Sequence, residues 1–274
     1  MPDSLEPTGT TAGTEEPILL CSDDLDHGIR TLTLNRPKAR NALSMPLMQA
    51  LLSAIEAAGS APKIKVVILA ANGPAFCAGH DLREIRERKD DAFYQALFGL
   101  CSQLMTAIVR LPKPVIAKVH AMATAAGCQL VASCDLALCA EDTRFATPGV
   151  NIGLFCSTPM VALSRNVGRK AAMEMLLTGH PVAAQEAQAL GLVNRVVAAE
   201  ALDEAVTSMA QTIAGKSPLT VAIGKEAFYR QLEMPLQDAY DYTAAVMARN
   251  MATHDAQEGI DAFLQKRTPI WKGE

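Results

Sequence analysis

The chain has 274 residues, half of them hydrophobic, with a formal net charge of −4 and one tryptophan. That length can bury one substantial core and sits near the upper size at which a single domain is ordinary. The mildly acidic balance, with no long basic stripe, excludes nucleic acid as a partner, and seven cysteines without C-x-x-C spacing suit reduced thiols inside a cell rather than a disulfide framework.

Residues 1–17 mix Ser, Thr, Gly, Pro and acids with no apolar centre and no basic start, which predicts a disordered tail and not a signal peptide. No apolar run is expected to reach the length of a membrane span, so a soluble protein with no membrane partner is expected. Ile18 to Cys21 and Ile29 to Leu34 read as two short strands around the polar turn Asp23 to Gly28. From Ser44 to Ala58 the apolar positions Leu47, Leu51, Ile55 and Ala58 recur at helical spacing, with Ser44 as N-cap and Pro46 in the first turn.

Two segments rich in small residues follow apolar runs. Phe76-Cys77-Ala78-Gly79-His80-Asp81 comes after the strand Val66 to Ala70, and Ala125-Ala126-Gly127-Cys128-Gln129-Leu130 comes after Val115 to Val119. Each reads as a strand feeding a tight turn that leaves backbone N–H groups uncovered; where the turn opens a helix, the dipole adds partial positive charge. Two such turns brought together would make an oxyanion hole. Between them, Asp81 to Leu111 is helical in pattern with a charged start, ended by Pro112 and Pro114. Leu136 to Ala140 is a further buried strand. Strands and helices alternate to about Val197, and 199–263 reads as mostly helix, with Ala205, Met209, Ile213, Ala239, Tyr242, Ala245 and Val246 on faces that must pack on the core or on a neighbour. The expected division is a tail at 1–17, an α/β core at 18–198 and a helical region at 199–274.

From Ile18 to Lys272 the sequence resembles the enoyl-CoA hydratase/isomerase (crotonase) family. The matching pieces, in order, are Leu34-Asn35-Arg36-Pro37-Lys38-Ala39-Arg40-Asn41-Ala42-Leu43, Phe76 to Asp81, Cys134-Asp135, Phe145-Ala146-Thr147-Pro148, Gly191-Leu192-Val193 and Phe263-Leu264-Gln265-Lys266-Arg267. The resemblance implies an α/β crotonase-like spiral of ββα units, a C-terminal helical region that holds homotrimers or homohexamers together, and a coenzyme A thioester as substrate, with no permanently bound cofactor and no metal. It places the oxyanion-hole N–H groups at His80 and Ala126, and CoA contacts at Lys38, Ala39, Arg40, Ala78, Phe263 and Lys266. A solvated Lys266 is an equal alternative. It also implies the mitochondrial matrix, although no transit peptide is visible, and otherwise the cytoplasm.

Hydratases of this family use two glutamates, at positions that here hold Gln129 and Gly149. The segment Pro148 to Pro159 is most similar to an enoyl-CoA hydratase domain-containing subgroup lacking both. Gln has no proton to exchange near neutral pH and Gly has no side chain; one positioned acid or base contributes about 10²–10⁴-fold, so ordinary hydration is expected to fail. Gln129 either hydrogen-bonds a water or the thioester, or is an inert relic. Ser157 matches a position acidic in dienoyl-CoA isomerases, against the simpler reading of a turn cap. Asn151 and Thr158 are polar neighbours without proton chemistry. Asp81 is expected to cap a helix, Asp135 to be structural, and Cys128 and Cys156 to be buried hydrophobes rather than nucleophiles. Two functions stay open: an enzyme that polarises an acyl-CoA thioester, or a non-catalytic acyl-CoA binding or regulatory protein.

Overall fold

The computed structural model describes residues 16–274, so the expected tail lies outside the described residues except for Glu16 and Pro17. In chain order the elements are β1 Leu19–Asp24, β2 Ile29–Leu34, α1 Met45–Ser60, β3 Val66–Ala71, α2 Leu82–Glu87, α3 Asp91–Arg110, β4 Val115–Val119, β5 Ala123–Thr124, α4 Ala126–Ser133, β6 Leu136–Ala140 and β7 Arg144–Ala146. They continue with α5 Pro159–Asn166, α6 Arg169–Thr178, β8 Val182–Ala183, α7 Ala184–Ala189, β9 Arg195–Val197, α8 Leu202–Ala214, α9 Pro218–Gln231, α10 Leu236–Met251 and α11 His254–Leu264. Short 3₁₀ turns at Pro37–Ala39, Pro148–Ile152 and Ala199–Ala201 link them.

The main sheet runs β1-β2-β3-β4-β6-β9. The β1–β2 hairpin is antiparallel and every other pair is parallel. Parallel strands are covered on both faces, which is why Val66-Val67-Ile68-Leu69-Ala70 is continuously apolar. Val67 and Leu69 point into the large core with α1, α3 and α4, while Val66 and Ile68 meet α8 through Leu202, Val206, Ala210 and Ala214. Met209 and Ile213 pack at the edge of that second layer. A second small sheet, β5-β7-β8, stands beside the first.

Helix α1 begins where expected, with the Ser44 hydroxyl accepting from Leu47 N–H and Pro46 in its first turn. Two expectations are corrected between Asp81 and Leu111. The stretch is two helices, because Asp90 takes an extended conformation and its carboxylate accepts from Phe93 N–H, capping α3 as a new start. And α3 is, by length and composition, apolar enough to cross a membrane, contrary to the expectation that no run is. It packs as a core helix: Phe93, Leu97, Cys101, Leu104, Met105 and Ile108 form one buried stripe at helical spacing. Asp135 has the structural role expected of it. Its carboxylate accepts from Val115 N–H (2.7 Å), Lys225 Nζ (2.6 Å) and Tyr229 Oη (2.9 Å), tying α9 to the sheet.

Candidate active site

The two small-residue turns meet. Phe76 and Cys77 donate to the Met122 carbonyl, Thr124 N–H donates to Cys77 O (2.9 Å), and Cys77 bridges Ala123 in parallel register. On the other side Leu43 N–H donates to Gly79 O (2.7 Å) and Asp81 N–H to Leu43 O (3.1 Å). The close approach depends on glycine. At Gly79 (φ +92°) a Cβ would lie 2.9 Å from Ala125 Cβ and 3.4 Å from Ala126 N; at Gly127 it would strike the Cys77 carbonyl, 2.8 Å from its carbon. Ala125 between them has φ +50° and ψ −120°, outside the regions open to ordinary residues, a strain worth about 1–3 kcal/mol.

This pairing engages the N–H groups of Ala78, Asp81 and Ala125 but not those of His80 and Ala126. Ala125 N–H donates to Ala146 O and Ala78 N–H to Arg40 O, while the N–H groups of His80 and Ala126 donate to no acceptor among the described residues. Ala126 is the first residue of α4, where no intrahelical acceptor exists and the helix dipole adds positive potential.

The side chains nearby divide by their partners. Burial pushes the His80 imidazole below its ordinary value, with the Leu43 backbone opposing, so the ring is neutral at neutral pH. It stands edge-on to Phe98 of α3 (centroids 5.4 Å), and neither ring nitrogen has a hydrogen-bond partner. Asp81 caps α2 through Arg83 N–H and pairs with Arg36 at 2.9 Å, as a capping residue should. Burial works against its charge, but Arg36 and the Arg83 N–H outweigh it and hold the carboxyl below the usual range.

Gln129, on the first turn of α4, is 5% exposed, and its Oε1 accepts from Cys101 Sγ at 3.7 Å. Gly149 is closed as well as bare. A Cβ there would lie 2.7 Å from Leu154 O and 2.9 Å from Cys156 Sγ. Ser157 is exposed and its hydroxyl donates to Phe155 O at 3.4 Å, a local turn contact. Burial raises the thiols of Cys101 and Cys128 to about 12 and that of Cys156 above its ordinary value, so all three are protonated and poorly nucleophilic.

Of the residues expected to contact CoA, Lys38 and Ala39 lie in the 3₁₀ turn after β2, and Arg40 follows in the left-handed region (φ 50°). Lys38 and Arg40 are exposed and pair with no carboxylate among the described residues. With its N–H engaged by Arg40, Ala78 offers only its carbonyl. Phe263 is 83% exposed on α11, which packs chiefly on α9 and α10, and Lys266 follows it; within one chain neither packs against the paired turns.

Sequence reasoning missed the polar knot beneath the first loop. Asn41 (φ 53°) accepts from Arg36 N–H and donates to Asn72 O and Ala75 O, and Asn72 donates to Asn35 Oδ1. The Asn-Arg-Pro spacing was visible, its partners 31 to 37 residues away were not. Cys101 was likewise unmarked.

The enoyl-CoA hydratase/isomerase family model matches residues 24–274. "Enoyl-CoA hydratase domain-containing protein 3, mitochondrial" from Xenopus laevis is 49% identical over 246 residues, covering 90% of this chain and 84% of the relative. Among solved structures, an enoyl-CoA hydratase from Mycobacterium smegmatis superposes with a TM-score of 0.91 at 54% identity, covering 93% of this chain and 99% of the other. The human enoyl coenzyme A hydratase domain-containing protein 3 does so with 0.90 at 47%, covering 93% and 100%. The α/β crotonase-like fold expected from the motifs is the fold observed, and the chain belongs to the enoyl-CoA hydratase/isomerase family.

Proposed function

We propose that this chain is an acyl-CoA thioester-binding enzyme in which the N–H groups of His80 and Ala126 polarise the thioester carbonyl, and that ordinary enoyl hydration is not its reaction. The observation that carries the reading is the nesting of the two turns through Gly79 and Gly127, which engages the N–H groups of Ala78, Asp81 and Ala125 and leaves those of His80 and Ala126 without an acceptor among the described residues. A single donor of this kind is worth about 2.7–4 kcal/mol in a transition state. Nothing comparable replaces the acid and base. Gln129 cannot exchange a proton and Gly149 has no room for a side chain.

In this reading Lys38 and Arg40 meet CoA phosphates, Ala78 O the adenine amino group, and Phe263 and Lys266 of an adjoining subunit the ligand's far end, within a homotrimer or homohexamer. Such cations suit phosphate, and an aromatic ring can lie against adenine. The relatives' names make the mitochondrial matrix the compartment in which to look first. The closure at Gly149 also favours the second reading, an acyl-CoA binding or regulatory protein without turnover.

The test is the loss of conjugated-thioester absorbance from crotonyl-CoA, alongside binding of CoA esters, for wild type and Ala126→Pro. Proline is tolerated at the first helical position; it removes the N–H and its ring takes the place of that hydrogen. Saturable binding with little hydration, weakened in the variant, is expected. Efficient hydration by wild type overturns the claim about the missing glutamates, and binding indifferent to Ala126→Pro overturns the hole.

A further inference from the structure

The orientation of Gln129 identifies the substituent that the site is built to meet. An amide side chain presents an acceptor at one end and donors at the other. Here the choice is made by Cys101 of α3, one of the buried stripe that holds this helix in the core. Its Sγ lies 3.7 Å from Gln129 Oε1, and the thiol, kept protonated by burial, donates to that oxygen. The Gln129 NH₂ is therefore turned the other way. It makes no hydrogen bond within the described residues, yet it is not among the polar atoms sealed from solvent without a partner, which are the two His80 ring nitrogens and Thr147 Oγ1. It faces space that a ligand can reach.

Gln129 also sits three residues after Ala126 on α4, so the two lie on one helix face about one turn apart, roughly 5 Å. A thioester oxygen at the Ala126 N–H places the ligand's β-carbon on the same side, a few bonds away. Gly149, the second position at which the family's hydratases carry a glutamate, is filled by Leu154 O and Cys156 Sγ and offers no proton-exchanging side chain. The groups gathered here are then all donors: His80 N–H, Ala126 N–H and the Gln129 amide. A site of donors without a base does not bind a water for attack. It binds oxygen acceptors already on the ligand.

We infer that Gln129, oriented by Cys101, is a specificity-determining residue that selects acyl-CoA thioesters bearing oxygen on the β-carbon, the 3-oxoacyl and 3-hydroxyacyl esters, over saturated or enoyl esters of equal length. The inference rests on the acyl-CoA reading above. Cys101 is a positioning residue and does not touch the ligand.

The experiment is calorimetric binding of acetoacetyl-CoA, 3-hydroxybutyryl-CoA, crotonyl-CoA and butyryl-CoA to wild type, Gln129→Met, Cys101→Ala and Cys101→Ser. Wild type is expected to prefer the oxygenated esters about three- to tenfold, the worth of one neutral hydrogen bond. Gln129→Met keeps length and apolar volume, so it should bring that ratio to one. Cys101→Ala should reduce the ratio by freeing the amide to flip, and Cys101→Ser, which again donates to Oε1, should restore it. The measure is a ratio between ligands, so a general loss of packing does not imitate it. If all four esters bind equally to wild type, or if Gln129→Met keeps the preference, the inference fails while the acyl-CoA reading survives. If none binds, both fail.

Discussion

The paired turns make a sharp demand at Gly127, and Gly127→Ala tests it. In a helix interior, alanine is favoured over glycine by about 1 kcal/mol, so propensity alone predicts a more stable protein. The structure predicts the reverse. The new methyl would strike the carbonyl oxygen of Cys77 and lie 2.8 Å from both its carbonyl carbon and its Cβ. Overpacking costs about 1–3 kcal/mol even where side chains can move aside, and here the obstacle is backbone fixed by the Thr124 N–H hydrogen bond to that same oxygen. Taking the upper end of that range, because the obstacle is fixed backbone, a net loss of about 2 kcal/mol remains after the gain in propensity. Gly99→Ala on α3 is the matched control, because nothing lies within 4 Å of its Cβ position, and it should stabilise by about 1 kcal/mol. Urea denaturation of wild type and both variants gives the two signs side by side, and CoA-ester binding should fall in Gly127→Ala alone, since the methyl separates the turns that carry the two N–H groups. A Gly127→Ala protein at least as stable as wild type would refute the close approach, and with it the geometry of the hole.

Restoring carboxylates should not restore hydration: Gly149→Glu with Gln129→Glu must place a Cβ 2.7 Å from Leu154 O, so crotonyl-CoA turnover should stay at background while the melting temperature drops. Lys225→Met should destabilise by about 3–5 kcal/mol in urea, because it strands the buried Asp135 carboxylate, and adding Asp135→Asn should recover part of the loss. At the C-terminus, the Arg267 guanidinium and the Ile270 N–H hold Glu258 at about 2, against an ordinary 4.5. A depressed carboxyl stabilises above its unfolded value and loses that contribution as pH falls through its folded value. Docking of the last residues should therefore weaken between about pH 4.5 and 2, read by the fluorescence of Trp271, whose Nε1–H donates to Gly215 O. Glu258→Gln should flatten that transition.

What the sequence revealed follows from how local each cause is. The Ser44 cap, the hairpin and the doubly covered strand at Val66 are set by neighbours and by periodicity, and all are present. The two turns were visible as small residues after apolar runs, since a glycine that lets two backbones approach leaves a mark in composition. The division at Asp90 was not, because Asp81 to Asp91 reads as one charged stretch and only capping geometry separates one solvated helix from two. Least visible were pairings that cross the fold. Cys101 reads as one more residue of an apolar stripe, and nothing near it in sequence says that its thiol meets an amide from α4. Gly149 reads as an empty position, whereas the 3₁₀ turn folds Leu154 and Cys156 back over it.

The same contrast bears on chemistry. A hole made of backbone N–H groups depends on two turns and two glycines, so it persists while the side chains around it change. Proton transfer depends on side chains at two positions, and in this chain one is an amide held by a thiol and the other is filled by backbone and sulfur. The capacities of the site therefore separate. In the function proposed above it stabilises negative charge on a thioester oxygen but lacks the side chains for the proton movements of hydration. On the inference drawn above, a 3-oxoacyl thioester offers a second oxygen to the donor that Gln129 presents. On these two proposals, the residues that stand in the way of hydration are the same ones that narrow the ligand to this class.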